Sequence, residues 1–203
     1  MLALCFDTET TGFTNKAMPP QHSSQPHLVE LGAVLIDTAT GCELETLNLI
    51  VKPDGYEIPT SASDVHGITT ELATKVGIPL LAALAPFSHL CKAADYHVAH
   101  NTEFDMVVLI AAFWRAGRPW PAVNARCTKN MAEPVIKLPP TERMLAAGMG
   151  HKFKAPSLSE CYQFFFGEEL TGAHGALVDA LACARVYLEL CRRAAETTVG
   201  ELV

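Results

Sequence analysis

The sequence predicts an α/β fold in which one mixed sheet is flanked by helices. Three apolar segments come early, at Leu2–Phe6, Leu28–Ile36 and Leu44–Val51, and are spaced as a strand meander. Strand-like and helical segments then follow each other to the end of the chain, the order expected of a sheet packed against helices. With 203 residues, 49% hydrophobic and 18% charged, we expect a single globular domain over residues 1–203.

The elements have recognisable boundaries. Thr11–Pro26 is polar and contains prolines, which predicts a loop beside the end of the first strand. Pro53-Asp54-Gly55 is a turn signal that ends the third strand. Helices are predicted over Glu71–Val76, Leu80–Cys91, Thr102 to about Ala116 (capped by Asn101), Leu158–Phe166 (capped by Ser157) and Leu177 to about Ala195. Two more strands are predicted over Tyr96–His100 and Ala125–Thr128. An irregular, lid-like segment is predicted over Pro134–Pro156, and a turn over Gly172–Gly175.

The charge and cysteine content of the chain limit the kinds of molecule and environment that it suits. A net charge of −7 argues against an extended footprint on duplex DNA, which requires many cationic contacts to phosphate, and favours a small contact with a strand end. The seven cysteines are odd in number and form no CxxC pair, so neither a disulfide framework nor a structural zinc site is expected. No apolar stretch is long enough to span a bilayer and no basic leader is present, so we expect a soluble cytoplasmic protein with no membrane partner.

Asp7 and Glu9 follow directly on the first apolar segment. Side chains alternate between the two faces of a strand, so these two carboxylates should point the same way. Like charges that close repel each other unless a cation lies between them. Oxygen ligands favour hard ions, so the pair indicates half of a magnesium or manganese site at the end of a buried strand.

Two further acidic residues fall on predicted helices. Asp105 lies beside the apolar stripe of its helix, where an unpaired carboxylate is costly to bury. Asp179 lies at the start of the last helix, five residues after His174. Residues five apart do not share a helix face, so His174 has to lie in the preceding turn if the two are to meet. A histidine on a turn beside a carboxylate on a rigid helix suits a general base next to a metal ligand.

Four segments in chain order resemble motifs of the DEDDh group of 3′-to-5′ exonucleases, which includes the proofreading epsilon subunit of bacterial DNA polymerase III. The matches run from residue 7 to residue 180, nearly the whole chain. The segments are Asp7-Thr8-Glu9-Thr10-Thr11-Gly12, Val65-His66-Gly67-Ile68-Thr69, His100-Asn101-Thr102-Glu103-Phe104-Asp105 and His174-Gly175-Ala176-Leu177-Val178-Asp179-Ala180.

The resemblance implies a ribonuclease H-like fold, with a mixed five-stranded sheet whose first three strands are antiparallel. It implies metal-dependent hydrolysis at the 3′ end of single-stranded nucleic acid, DNA in the first instance, with release of nucleoside 5′-monophosphates. The implied ligands of two divalent cations, Mg²⁺ or Mn²⁺, are Asp7, Glu9, Asp105 and Asp179, with His174 as general base. The implied contacts to the terminal nucleotide come from Thr8, Thr10, His66, Phe104 and Asn101.

Several alternatives stay open at this point. Taken singly, each of these positions has an ordinary structural explanation: His66 could brace the turn before Thr69, and Phe104 could belong to the core. An exoribonuclease similar to oligoribonuclease and RNase T would use the same residues, because no motif decides whether a side chain meets the 2′-hydroxyl. A non-catalytic module that binds nucleic acid or a polymerase is disfavoured by the presence of all four carboxylates and the histidine.

Association with a polymerase is expected to be loose at most. Epsilon subunits that are tethered to a polymerase carry a further C-terminal segment, whereas only Thr197–Val203 follow the predicted last helix.

Overall fold

The computed structural model describes residues 1–200, with side chains described as far as Glu196. Its centre is a five-stranded sheet in the order β3-β2-β1-β4-β5. The first three strands are antiparallel, as predicted, and β4 and β5 continue the sheet parallel to β1. The strands are β1 (Leu2–Thr10), β2 (Leu28–Asp37), β3 (Glu43–Ile50), β4 (Tyr96–Ala99) and β5 (Ala125–Cys127).

Helices cover both faces of the sheet. One face is covered by the third and fourth helices and the other by the eighth, with the fifth and seventh packed beside it. The helices are α1 (Thr60–His66), α2 (Thr70–Val76), α3 (Leu80–Ala93), α4 (Thr102–Arg115), α5 (Thr128–Ile136), α6 (Glu142–Ala146), α7 (Leu158–Phe166) and α8 (Ala176–Gly200).

The side chains of β1 alternate strictly between two cores. Leu4 and Phe6 pack towards α3 and α4, where the ring of Phe6 meets Phe87 edge-on at a centroid distance of 5.5 Å. Ala3 and Cys5 pack towards α8. Continued along the strand, this alternation directs Asp7 and Glu9 to the α8 face and Thr8 to the α4 face.

The first strand is longer than predicted. Its apolar segment ends at Phe6, but β1 continues to Thr10 because it pairs with β2 along its whole length. The acidic pair therefore lies within the strand and not beyond its end, so sheet hydrogen bonds fix the orientation of both carboxylates.

Three helices were not predicted: α1, α5 and α6. The excursion predicted over Pro134–Pro156 begins inside α5 and contains α6. Pro134 lies in the last turn of α5, where the missing N–H removes only one hydrogen bond near the end of the helix. At the C-terminus, α8 runs to Gly200, beyond the predicted end at about Ala195; Glu201–Val203 lie outside the described residues.

The loop over residues 11–26 is packed around one buried amide. The Nε2 group of Gln25 donates to the carbonyl oxygens of Asn15, Met18 and Pro19 at 3.0–3.2 Å, and its Oε1 accepts from Asn15 N–H at 2.9 Å. Arg115 of α4 donates to the carbonyl oxygen of Gln25 at 2.5 Å. These bonds join the loop to α4 beside the end of β1.

Within residues 1–200, no helix combines the length and the apolar character needed to cross a bilayer.

Candidate metal and catalytic site

Asp7 and Glu9 lie where one side of β1 is open. The parallel strand β4 pairs with β1 only as far as Cys5, opposite Val98, and ends at Ala99. The chain then turns into α4, whose first turn takes the place of a strand beside Asp7. Both carboxylates are half-buried. The end of β4 thus opens the sheet at the point where β1 changes from apolar to acidic residues.

Asp105 reaches the same place from α4. Its side chain is 2% exposed, and its Oδ1 accepts a hydrogen bond from the hydroxyl of Thr8 at 2.8 Å. Thr8 faces α4 while its neighbours Asp7 and Glu9 face α8. One β1 segment therefore supplies two carboxylates and also fixes the third.

Asp179 and His174 approach from the start of α8. His174 adopts a left-handed backbone conformation with φ +70°, and its N–H donates to Asp179 Oδ2 at 3.1 Å. One ligand atom from each of Glu9, His174 and Asp179 can be chosen so that all three lie within 4.8 Å of one another. The structure therefore brings the turn histidine and the helix aspartate together beside Glu9.

All four carboxylates hold protons more firmly than usual. Burial raises the pKa of Glu9 to about 8, and the charges of Asp179, Glu30 and Asp105 add to the effect. Burial also raises the pKa of Asp105 to about 7, against the opposing hydrogen bond from Thr8. The pKa of Asp7 is well above its usual range because of burial and the nearby charges of Asp105 and Asp179, and burial likewise raises the pKa of Asp179.

This donor set fits a divalent cation. Asp179 Oδ1 is buried and accepts no hydrogen bond. Among the described side chains, no lysine or arginine forms an ion pair with any of the four carboxylates. Clustered carboxylates without a counter-ion are stable only when they are protonated or bind a cation. Carboxylate oxygens are the ligands that hard divalent ions such as Mg²⁺ and Mn²⁺ prefer.

The hydroxyls of Thr8 and Thr10 both have partners within the protein. Thr8 donates to Asp105, and Thr10 donates to the carbonyl oxygen of Gly12 at 2.7 Å. Both residues are buried, with exposures of 5% and 7%. Their contacts to a nucleotide stay predictions.

His66 ends α1 next to the site. Its Nδ1 accepts from Ile68 N–H at 3.1 Å, across Gly67 with φ +76°, which is the bracing role considered from the sequence. Its Nε2 is buried and has no hydrogen-bond partner. Burial lowers the pKa of His66, which favours the neutral ring. The predicted contact between His66 and a nucleotide stays a prediction.

Asn101 stands at the predicted start of α4 but does not cap the helix with its side chain. Its backbone is left-handed, with φ +81°, and directs the side chain away from the first-turn amides. Its Oδ1 instead accepts from Lys129 Nζ at 3.4 Å. Phe104, in the first turn, packs partly against the core. Nucleotide contacts from Asn101 and Phe104 stay predictions.

A model of the RNase T exonuclease family matches residues 4–187. The chain belongs to this exonuclease family. The resemblance to DEDDh exonucleases and the predicted enzyme class, an exonuclease, are therefore confirmed, and the ribonuclease H-like fold agrees with the solved structures of such enzymes.

Two curated relatives of this exonuclease domain are each 28% identical to it over 92% of the chain. One is a Mycobacterium tuberculosis protein named as a bifunctional exonuclease/endonuclease, and the other is the epsilon subunit of DNA polymerase III from Escherichia coli. The chain spans only 26% of the first protein and 70% of the second.

Solved structures share the fold at lower identity. E. coli exonuclease I in complex with a dT13 oligonucleotide superposes with a TM-score of 0.75 at 19% identity, covering 97% of this chain and 42% of that one. The nuclease domain of 3′hExo, a DEDDh family member bound to rAMP, gives 0.67 at 14% identity, covering 95% and 92%.

Two residues of the candidate site were not predicted from the sequence: Glu30 and Gly32. They lie on β2 directly opposite Glu9 and Asp7. A Cβ atom at Gly32 would lie 2.1 Å from the carbonyl carbon of Ala176, so only glycine lets the start of α8 rest on the sheet here. The signal was a carboxylate and a glycine within a strand that is buried and otherwise apolar from Leu28 to Ile36.

Proposed function

We propose that the chain is a metal-dependent 3′-to-5′ exonuclease that releases nucleoside 5′-monophosphates from single-stranded DNA. The observation that carries the proposal is the cluster of Glu9, His174 and Asp179 within 4.8 Å, together with Asp7, whose pKa is raised by burial and by the nearby charges of Asp105 and Asp179. Asp179 Oδ1, buried and unpartnered, supplies a ligand atom that no protein group satisfies.

Asp7, Glu9, Asp105 and Asp179 would hold two divalent cations. When bound, two such ions stabilise charge on the attacking and leaving oxygens of an in-line displacement. The rigid elements β1, α4 and α8 keep the carboxylates in place without substrate.

His174 is proposed as the general base. A water oxygen attacks the terminal phosphorus, and the water proton passes to a ring nitrogen of His174. The bond to the 3′-oxygen of the preceding nucleotide breaks, and this oxygen takes a proton from solvent to become the new 3′-hydroxyl. The exposed ring of His174 lies on the turn before α8, while Asp179 is fixed on the helix itself. That position lets the ring reach the water and return its proton to solvent.

Single-stranded DNA is proposed because exonuclease I was solved with dT13 and dA16 oligonucleotides and because the epsilon subunit belongs to a DNA polymerase. RNA is the second candidate, supported by the 3′hExo domain bound to rAMP. Loose association with a polymerase and a cytoplasmic location remain predictions.

The test is degradation of 5′-labelled single-stranded DNA and RNA with Mg²⁺, with Mn²⁺ or with EDTA. We expect metal-dependent ladders that shorten from the 3′ end, release of 5′-monophosphates, and no shortening when the 3′ end is blocked. Asp179→Asn should abolish activity, whereas Glu45→Gln, on the exposed side of β3, should not change it. Cleavage in EDTA, or full activity of Asp179→Asn, would contradict the mechanism; binding without cleavage would favour a non-catalytic module.

A further inference from the structure

The helix that carries Asp179 begins without a capping side chain of its own. Asp179 N–H donates to the carbonyl oxygen of Gly175 at 3.0 Å, which is the first helical hydrogen bond of α8. Gly175 is therefore the N-cap residue, and glycine has no side chain to accept from the free first-turn amides. Ala176 is 0% exposed, so its N–H cannot be satisfied by bulk water.

The missing acceptor comes from a different element. Glu30 of β2 accepts the Ala176 N–H through Oε2 at 2.9 Å, across 146 residues of sequence. Glu30 is only 7% exposed. A carboxylate at a helix N-terminus is favoured by the helix dipole as well as by the hydrogen bond.

The position of the Glu30 carboxylate is energetically unfavourable. It lies directly opposite Glu9 in the register of β1 and β2, so two carboxylates share one face of the sheet. The charge of Glu30 contributes to the repulsion felt by Glu9. A serine at position 175 could cap α8 without adding a buried negative charge beside Glu9. Unlike a capping residue within α8 itself, Glu30 forms a hydrogen bond that links α8 to β2, the strand opposite Glu9.

The anchored amide lies between the two functional side chains of this segment. Ala176 follows His174 by two residues and precedes Asp179 by three, and His174 N–H is itself bonded to Asp179 Oδ2. Gly32, two residues beyond Glu30, permits the close approach that this bond requires. A shift of Ala176 away from β2 would move His174 and Asp179 together away from Glu9.

We propose that Glu30 is a positioning residue: through its hydrogen bond to Ala176 N–H it holds His174 and Asp179 against Glu9. The role rests on the proposed nuclease function, but the anchoring itself is a property of the fold that can be measured without substrate.

The experiment compares Glu30→Gln, which keeps an acceptor oxygen, with Glu30→Ala, which removes it. Three quantities are measured: hydrogen exchange of the Ala176 amide, the Kd for Mn²⁺ by EPR titration, and kcat and KM on a labelled oligonucleotide. We expect Glu30→Gln to stay within about threefold of wild type in all of them. Glu30→Ala should speed Ala176 exchange, weaken Mn²⁺ binding and lower kcat, each by about tenfold or more, with KM changed less than threefold.

Glu160→Ala is the matched control. Glu160 makes the same kind of bond at another helix, accepting from Ser157 N–H at 2.8 Å at the start of α7. We expect it to lower stability and leave Mn²⁺ affinity and kcat unchanged. If Glu160→Ala reduces kcat as much as Glu30→Ala does, the effect is general destabilisation and the proposal fails.

Other outcomes are equally decisive. Equal losses in Glu30→Gln and Glu30→Ala would show that the charge matters and the hydrogen bond does not, and wild-type Mn²⁺ affinity in Glu30→Ala would overturn the proposal directly. If Glu30→Ala does not fold, Glu30→Met, which keeps the side-chain volume, replaces it. If the wild-type protein has no nuclease activity, the proposed function fails, while Ala176 exchange and Mn²⁺ affinity still decide the role of Glu30.

Discussion

Thr8 donates its hydroxyl hydrogen to Asp105 Oδ1 at 2.8 Å, and this bond joins the central strand to the helix that supplies the third carboxylate. Thr8 lies between two residues of the same site whose side chains point to the opposite face of the sheet. The bond opposes the effect of burial on the pKa of Asp105 and so favours its ionised form, which is the form that could bind a cation.

Thr8→Val should therefore impair metal binding without disturbing the sheet. The variant keeps the shape of the side chain but leaves the buried Asp105 carboxylate without its donor, at a cost of about 1.5–3 kcal/mol. We expect Mn²⁺ affinity and kcat to fall about tenfold or more and the acid limb of the pH–rate profile to move to higher pH. Thr8→Ser, which restores a hydroxyl, should recover most of the loss; a Thr8→Val enzyme with wild-type Mn²⁺ affinity would contradict this role.

Gly32→Ala should displace the start of α8. Its Cβ would lie 2.1 Å from backbone carbon and 2.2 Å from backbone oxygen of Ala176, and backbone atoms cannot rotate away as a side chain can. We expect a loss of about 1–3 kcal/mol in the free energy of unfolding, measured by urea denaturation, together with a large loss of activity. The control is Gly150→Ala, whose Cβ would meet only a leucine side-chain atom at 3.2 Å; similar effects of the two substitutions would refute the explanation.

The metal-free protein should lose stability as pH rises. Glu9 and Asp105 have a pKa of about 8 and about 7 in the folded state, above their ordinary values of 4.5 and 3.8. Between those limits the folded chain binds more protons than the unfolded chain, so the free energy of unfolding falls with increasing pH. Urea denaturation in EDTA from pH 5 to pH 8 should show this fall, and saturating Mg²⁺ should reduce it. A flat profile in EDTA would contradict the raised pKa values of these two carboxyl groups.

His174→Gln should remove the proposed base while leaving the carboxylates in place. General-base catalysis contributes about 10²–10⁴-fold, so kcat should fall by that range with oligonucleotide binding retained. Single-turnover kinetics with fluorescence anisotropy would separate the two effects. His89→Gln, on the exposed face of α3, serves as the control. Near-normal kcat in His174→Gln would assign proton abstraction to another group.

The placement of the acidic residues could be predicted from the sequence because local periodicity determines which face of a strand or helix each one occupies. Alternation along β1 is enough to place Asp7 and Glu9 on one face, and helical spacing is enough to require His174 in a turn. Asn101 was misjudged because asparagine is favoured both as an N-cap residue and in the left-handed conformation, and only the fold decides between them. Glu30 could not be assigned, since its partner Ala176 is 146 residues away and the packing of α8 on β2 is not visible in either segment alone.

The side chains of β1 have different roles on the two faces of the sheet, and this limits which mutations the strand can accept during evolution. Apolar residues can replace one another at Leu4 or Phe6 at modest cost, because a core tolerates changes that conserve volume. Insertion or deletion of a single residue between Leu2 and Asp7 is different, since a slip of one position exchanges the two faces of a strand. Such a slip would turn Thr8 towards α8, and it would turn Asp7 and Glu9 into the apolar layer under α3 and α4. Selection should therefore act on the length of this strand more severely than on its composition.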